Sequence, residues 1–348
     1  MTIEVRTYEG SAAEAAAFTS SIWRQTYAGR IPVLEWDETY YEWQLLPDSG
    51  GSRDWLVGAY DGKSLVGSLF ADPFPFRLHG EDVLGSMSSW LTVDPSCRGR
   101  GIASRLADEQ RRRHLERGAV FCLGFGAPGT GGPGFWGGLQ DTQQLGKIGF
   151  WTRVLDARAT ADWSLSLAER VATRALGLLQ GPPEGATAAG IRPYRPGDLP
   201  ACLELAHGLL EVSEIGYVWT AERLARQLAH RDVPRTLVAE VDGRVRGFVN
   251  WYLLGMTGRR TVRAGVIDVL ALRSLERPLR RALLDAALAS MAGEGAAFAF
   301  VLSLACHPRR DLLASGFVPV PGASDLLFVF TRRPMTLRDP RNLLVHWR

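Results

Sequence analysis

The chain has 348 residues, 46% hydrophobic and 22% charged, with a formal net charge of +3 at pH 7. This length exceeds what one ordinary hydrophobic core organises and predicts two domains. No apolar run approaches the ~20 residues that span a bilayer, which argues against a membrane protein. The first residues lack a basic segment followed by an apolar one, so we expect no secretory signal and a cytoplasmic location.

The cysteines and the basic residues give no sign of a metal site, a disulfide framework or a nucleic-acid-binding surface. Cys97, Cys122, Cys202 and Cys306 lack CxxC spacing, so we expect free thiols rather than a metal site or a disulfide framework. The basic residues are almost all arginine, and this bias alone does not indicate nucleic-acid binding.

In chain order, the first half begins with a helix over 11–28 and a hairpin over 56–68 that turns at Asp61-Gly62. Asp-Gly between two apolar runs is a strong hairpin signal. A strand over 88–93, a helix over 102–117 and a strand over 119–125 follow. Gly149-Phe150 then precedes a final strand.

The second half repeats these signals in the same order. A helix over 200–210, a hairpin over 237–248, a helix over 279–291 and a strand over 297–304 precede Gly316-Phe317. Repetition at a domain length indicates an internal duplication. The predicted fold class is α/β, an α+β mixed sheet: two tandem domains, each a mixed, mostly antiparallel sheet flanked by helices.

The expected boundaries place the first domain at residues 1–157 and the second at 189–333. Between them, residues 158–188 contain a predicted helix over 162–179 and a linker at Gly181-Pro182-Pro183-Glu184-Gly185. Residues 334–348 form a tail, whose apolar end at 343–347 we expect to pack against the protein.

The segment after the strand at 88–93 carries the strongest chemical signal. Asp94-Pro95 ends the strand, Arg98-Gly99-Arg100-Gly101 forms a tight turn, and a helix opens at Ile102. A glycine-rich turn that leads into a helix presents backbone N–H groups at a positive dipole end, which suits phosphate or pyrophosphate. The string fits neither GxGxxG nor the P-loop pattern.

This string resembles the acetyl-coenzyme A signature of the GNAT N-acetyltransferase superfamily, Arg/Gln-x-x-Gly-x-Gly/Ala after a strand that ends Val-x-Pro. Arg98, Gly101 and Ala103 occupy the signature positions, and Gly149-Phe150 resembles a late element of the family. The resemblance covers residues 3–155 by motif and 189–332 by order of elements. It is similar to a tandem GNAT protein with a degenerate second domain.

The resemblance implies that acetyl-CoA, or another acyl-CoA, binds the first domain and that the acyl group passes directly to an amine. Backbone amides of the turn would hold the pyrophosphate, and the strand edge would hold the pantetheine arm. The implied cofactor-binding residues are Leu91, Thr92, Val93, Arg98, Gly99, Arg100, Gly101, Ile102, Ala103 and Ser104.

The corresponding stretch of the second half, residues 266–283, keeps the strand and the helix but lacks the glycine pair. Pro278 also removes an N–H group that a pyrophosphate would use. We expect this half to have lost the usual cofactor contacts and to act structurally.

The usual catalytic groups of the family are replaced at their expected positions in the first half. Many GNAT members carry a tyrosine acid four residues before the Gly-Phe pair, where this chain has Leu145 and Leu312. Many carry a carboxylate on the fourth strand, where the first half has Ser89 and the second has Asp268. The catalytic residues are therefore unknown.

Three interpretations remain open for the base. It could be a carboxylate from elsewhere, a water chain could serve, or the domain could bind an acyl thioester without ordinary N-acetylation. The candidates are Ser89, Glu81, Asp82, Glu35 and Asp37.

Six aromatic residues crowd the early helices, which border the acceptor site in this family: Trp23, Tyr27, Trp36, Tyr40, Tyr41 and Trp43. Trp23, Tyr27, Tyr40 and Tyr41 are the candidate substrate contacts, although a helix–sheet core would also use aromatic side chains. The glycine-rich segment at 124–138 is either a flexible lid over the acceptor or a surface insertion.

The sequence thus favours an acyl-CoA-dependent N-acetyltransferase that acts on a small-molecule amine, with no metal, no membrane partner and no nucleic acid. One alternative is acyl transfer from a carrier-protein thioester or an aminoacyl-tRNA. Another is a non-catalytic CoA-binding regulatory protein.

Overall fold

The computed structural model describes residues 3–45, 53–181, 183, 190–331 and 335–347, with the backbone alone for 321–329. The first half contains seven strands and four helices within these residues. They are β1 (Ile3–Thr7), α1 (Ala12–Tyr27), β2 (Val33–Glu35), α2 (Glu38–Gln44), β3 (Leu56–Asp61), β4 (Ser64–Leu78), β5 (Glu81–Val93), α3 (Ile102–Glu116), β6 (Phe121–Gly126), α4 (Gly132–Gly137) and β7 (Thr142–Val154).

Two helices connect the halves, α5 (Ala157–Trp163) and α6 (Leu167–Gln180). The remaining elements are β8 (Ile191–Pro193), α7 (Leu199–Gly208), β9 (Ile215–Tyr217), α8 (Ala221–Leu228), β10 (Pro234–Val241), β11 (Arg244–Thr257), β12 (Thr261–Ala271), α9 (Arg277–Gly293), β13 (Ala296–Leu302), α10 (Arg309–Ala314), β14 (Val318–Thr331) and β15 (Leu343–Leu344). Among the described residues, no helix combines the length and apolarity needed to cross a bilayer.

The duplication predicted from the sequence is confirmed by the strand pairing. In the first half, β1, β3, β4 and β5 pair antiparallel in that order, and β5 pairs parallel with β6 through the crossover helix α3. In the second half, β8, β10, β11 and β12 repeat the antiparallel series, and β12 pairs parallel with β13 across α9. Each unit is a mixed, mostly antiparallel sheet flanked by helices.

The two units share one continuous sheet because their last strands are exchanged. β7 of the first half pairs antiparallel with β13 of the second, and β14 of the second half lies between β6 and β7. The strand order is β1-β3-β4-β5-β6-β14-β7-β13-β12-β11-β10-β8. The domain boundaries at 157/158, 188/189 and 333/334 stay predictions, since the sheet runs across both halves.

The helix predicted over 162–179 is two helices, and that prediction was wrong in its extent. α5 ends before Ser164, and Ser166 caps α6 with a reciprocal capping box to Glu169. A serine at this position accepts an orphan N–H bond of the first turn, so it favours a new helix start over continuation. The segment at 124–138 contains the short helix α4.

The tail packs against the protein, as its apolar sequence predicts. β15 pairs with β9, and β9 also pairs with β4 of the first half. Leu343 is fully buried and Val345 and His346 are nearly so. Residues 343–346 of the tail therefore lie in the interior between the two halves, while Thr336 and Arg338 are exposed. The four cysteines are buried free thiols.

Candidate active site

A cleft opens where β5 and β6 separate. Their parallel register runs from Gly85 opposite Phe121 to Ser88 opposite Gly124, and β5 continues to Val93 without further pairing to β6 among the described residues. The β5 edge beyond Ser88 thus presents backbone groups that no neighbouring strand on that side uses. Such an edge accepts an extended ligand as an additional strand.

A β-bulge in β5 shapes the floor of this cleft. Ser68 pairs with Thr92 and Phe70 with Ser89, so Trp90 and Leu91 together stand opposite Leu69. Trp90 has φ +59°, a left-handed conformation that a bulky side chain rarely adopts. The buried ring of Trp90 packs against neighbouring aromatic rings, and this packing stabilises the left-handed backbone. The bulge in turn changes the direction in which the nearby amides point.

The glycine-rich turn closes one end of the cleft. Asp94 caps a short 3-10 turn over Pro95–Cys97, after which Gly99 and Gly101 adopt φ +76° and +71°. A Cβ at either glycine would meet nothing within 4 Å, so the backbone conformation, not the space, requires glycine. Gly101 is the N-cap of α3, whose first amides have no intrahelical partner.

A cavity of about 730 Å³ joins the turn, the open edge of β5 and the first turn of α3. Nine of the ten residues predicted to bind the cofactor line it, and the exposed Arg100 does not. The nine are Leu91, Thr92, Val93, Arg98, Gly99, Gly101, Ile102, Ala103 and Ser104. Arg98 is tied to α1 by a 2.9 Å hydrogen bond from Nη2 to Thr26 Oγ1.

The candidate substrate residues divide into two groups. Trp23 and Tyr27 of α1 line the cavity, and Trp23 Nε1 donates a 3.0 Å hydrogen bond to Thr92 Oγ1. Tyr40 and Tyr41 do not line it. They are 4% and 0% exposed, and they pack against Trp90 in the core.

The candidate bases are also separated by the structure, and only Ser89 lines the cavity. Glu35 is paired with Arg24 and accepts a 2.8 Å bond from Thr257 of the second half. Glu81 is exposed at the opposite end of β5.

The two aspartates among the candidate bases are occupied elsewhere. Asp82 is paired with Arg77, and Asp37 caps α2. Among the described residues that line the cavity, none is acidic.

The family model described as an acetyltransferase (GNAT) domain matches residues 14–131. The amino-terminal part of this chain is a GNAT domain. The match spans α1 through β6 and includes the bulge, the turn and the start of α3. No curated protein sequence is significantly similar to the chain.

Solved structures extend the likeness of the fold to the whole chain. Saccharomyces cerevisiae N-myristoyltransferase with bound myristoyl-CoA has a TM-score of 0.77 at 15% identity, over 95% of this chain and 83% of that one. A GCN5-related N-acetyltransferase from Kribbella flavida has a TM-score of 0.51 at 17% identity, over 94% and 71%. The GNAT domain and this fold support an acyl-CoA-dependent N-acyltransferase.

Further residues complete the cavity of the GNAT domain. Trp36, one of the aromatic residues that the sequence placed near the acceptor site, enters after α1. Arg30, also after α1, and Trp347 of the tail enter the cavity as well, and the sequence indicated neither. Trp347 packs edge-on against Phe150 and Phe300, with ring centroids 5.7 and 5.0 Å apart. The apolar tail predicted packing, but nothing local to position 347 predicted a place beside the cleft. Residue 348 lies outside the described residues.

The second half repeats the bulge but not the cleft. Asn250 pairs with Val269 and Trp251 with Ile267, so Asp268 is the bulged residue. Its buried carboxylate accepts a 2.9 Å bond from Gln227 Nε2 and lies 3.5 Å from His346 Nδ1. The space between β12 and β13 is only about 10 Å³, and Pro278 occupies the first turn of α9.

A second cavity, of about 250 Å³, lies between α3 and β6. It adjoins the cleft at the point where β5 and β6 begin to separate. Both cavities share Ser88 and Gly124, and Ala107 of α3 forms one wall of the second. A buried polar chain forms another wall, because Ser88 donates to Gln110 and His114 bonds Ser86.

Burial fixes the ionisation of this polar wall. It lowers the pKa of His114 to about 4 and raises the pKa of Cys122 to about 11, so both are neutral near pH 7. His114 Nδ1 faces the Gln110 carbonyl at 2.6 Å, and since a carbonyl only accepts, Nδ1 carries the proton. Nε2 then accepts from Ser86.

Proposed function

We propose that this chain transfers an acetyl group from acetyl-CoA to the amine of a small molecule, in the GNAT domain. One observation carries the proposal: the glycine turn, the free amides of α3 and the open edge of β5 all face a single cavity. The amides suit a pyrophosphate and the strand edge suits the amides of a pantetheine arm.

The reaction follows from this placement. The pyrophosphate lies against residues 98–103, and the pantetheine arm extends along Leu91 and Val93 towards the bulge. There the backbone N–H groups polarise the thioester carbonyl, and the amine nitrogen attacks its carbon. The carbon–sulfur bond breaks, the thiolate of CoA takes a proton, and the nitrogen loses one.

Ser89 is the positioning residue that we assign to the acceptor side. Its hydroxyl is buried and has no hydrogen-bond partner among the described residues. A buried polar group without a partner costs about 1–3 kcal/mol, so a water or an amine that supplies the bond is stabilised there. A water on Ser89 would accept the amine proton without a dedicated carboxylate.

The assay is release of free CoA thiol from acetyl-CoA in the presence of a panel of aliphatic and aromatic amines. The proposal expects amine-dependent release with the parent and a lower kcat with Ser89→Ala. Binding of acetyl-CoA without turnover on any amine would instead favour a CoA-binding regulatory protein.

A second candidate donor is a longer acyl-CoA, and the 250 Å³ cavity beyond Ser88 favours it. At about 30 Å³ per water in the liquid, this volume holds roughly eight waters, or an acyl chain with a similar number of heavy atoms. Ala107→Phe would fill the space. If acyl chains enter it, this variant loses activity with octanoyl-CoA and keeps it with acetyl-CoA. Equal loss with both donors would refute the role of the cavity.

A further inference from the structure

The connecting helix α6 exposes a stripe of large apolar side chains. Leu167, Val171, Leu178 and Leu179 are 72%, 61%, 89% and 84% exposed. At 100° per residue they fall within an arc of about 120°, one face of the helix. Among the described residues, the other exposed large hydrophobic residues are Val241 and Leu313, which are only 36% and 54% exposed. A surface apolar helix face of this kind marks an interaction site.

The opposite face of α6, which is small and polar, attaches the helix to the protein. Gly177 lies so close to Ala157 that a Cβ would approach Ala157 Cβ at 2.2 Å. Gln180 accepts a 2.6 Å bond from Arg153 and donates a 2.7 Å bond to the Gly316 carbonyl. The helix is therefore fixed with its apolar face outward, the reverse of an ordinary surface helix.

Basic residues border the stripe. Arg170 and Arg174 follow one another along one flank of α6, while Glu169 lies on the far side within the capping box. The Gly316 carbonyl that accepts from Gln180 follows α10 in the chain, and α10 exposes Arg309 and Arg310. Leu313 of the same helix is 54% exposed.

We propose that this stripe, with its basic border, binds the surface of an anionic lipid bilayer. An amphipathic helix that lies in the interface buries apolar side chains below the headgroups, and arginines along its edge contact lipid phosphates. An antiparallel two-fold pairing of α6 with a second copy would place the flank of Arg170 and Arg174 against its own image. That arrangement sets like charges together.

The test is flotation of the full chain with vesicles of phosphatidylcholine and with vesicles of equal parts phosphatidylcholine and phosphatidylglycerol. We expect binding to the anionic vesicles that weakens as salt rises, and much weaker binding to neutral ones. Burying a leucine contributes about 1.5–3 kcal/mol, so Leu178→Asp should weaken binding at least tenfold. Arg174→Glu should weaken binding to anionic vesicles more than to neutral ones.

The matched control is Val241→Asp, which replaces an exposed apolar residue in the β10–β11 hairpin and should leave vesicle binding unchanged. Light scattering on the same samples reports the oligomeric state. A parent dimer that Leu178→Asp dissociates, with no vesicle binding, would overturn the proposal in favour of self-association. A monomer that floats with neither vesicle would overturn it as well. CoA binding is independent of both results.

Discussion

Replacing Gly101 by glutamate tests whether the glycine turn is the pyrophosphate site. A glutamate there would place a carboxylate at the amides that open α3, so it should repel a pyrophosphate. The side chain itself has room, because a Cβ at Gly101 meets nothing within 4 Å. The loss of binding would therefore come from charge and ligand contact, not from a clash in the free protein.

Ligand binding raises the free energy of unfolding by an amount that depends on the ligand concentration relative to its Kd. Acetyl-CoA at 100 times its Kd stabilises the folded state by about 2.7 kcal/mol. At about 2.1 cal/mol/K per residue, a chain of this size has an unfolding entropy of about 0.7 kcal/mol/K. Dividing the stabilisation by this entropy gives a rise in the parent Tm of about 4 °C. Gly101→Glu should show almost no rise at the same concentration.

Gly243→Glu is the matched control. Gly243 has φ +71°, the same as Gly101, and open space around its Cβ position, but it lies in the β10–β11 hairpin. Both variants should lose about 1–2 kcal/mol from the left-handed backbone conformation. Differential scanning calorimetry with and without acetyl-CoA separates that loss from binding. An equal ligand shift in the parent and in Gly101→Glu would refute the placement of the pyrophosphate.

Trp23→Phe removes a bond to the Thr92 side chain, whereas main-chain groups of β5 hold the cofactor arm. It should therefore raise the KM for the amine severalfold and leave the Kd of acetyl-CoA unchanged, as steady-state kinetics and calorimetry would show. Trp347→Ala should lower kcat/KM for the amine, since it opens one wall of the cleft; unchanged kinetics would remove Trp347 from the site. Burial lowers the pKa of both His114 and His307 to about 4, so the unfolded state protonates first as the pH falls below 6.5. Stability should fall by on the order of 3 kcal/mol per histidine between pH 6.5 and 4, and denaturant titrations should show a smaller loss for His114→Gln.

Short-range sequence patterns predicted the hairpins and the glycine turn of the cleft, because the conformation of each depends on only a few neighbouring residues. Asp-Gly pairs set the hairpins, and the two glycines of the turn are needed because its backbone is left-handed at both. The aromatic residues were harder to assign, because period and composition do not separate a core residue from a cavity wall. Tyr40 and Tyr41 point into the core, while Trp36 of the same cluster reaches the cleft.

Contacts between distant parts of the chain were beyond any local pattern. β2 follows α1 in sequence yet pairs with β11 of the second half, which places Glu35 against Thr257 instead of in the cleft. A three-residue strand carries no periodicity of its own. β2 can pair only where β11 of the second half presents unpaired backbone groups, and that position is determined by the tertiary fold.

The exchange of the last strands explains how a half without an open cleft still contributes to the site. β14 covers the edge of β6, the strand whose divergence from β5 opens the cleft, so the second half fixes one wall of the GNAT domain. The tail then returns beside β9 and delivers Trp347 to the cavity. An unpaired β6 edge would expose a row of backbone groups and invite misassembly. The second unit is therefore required for the site without binding a cofactor itself. Its strand β14 and the tail that carries Trp347 complete the cleft of the first unit.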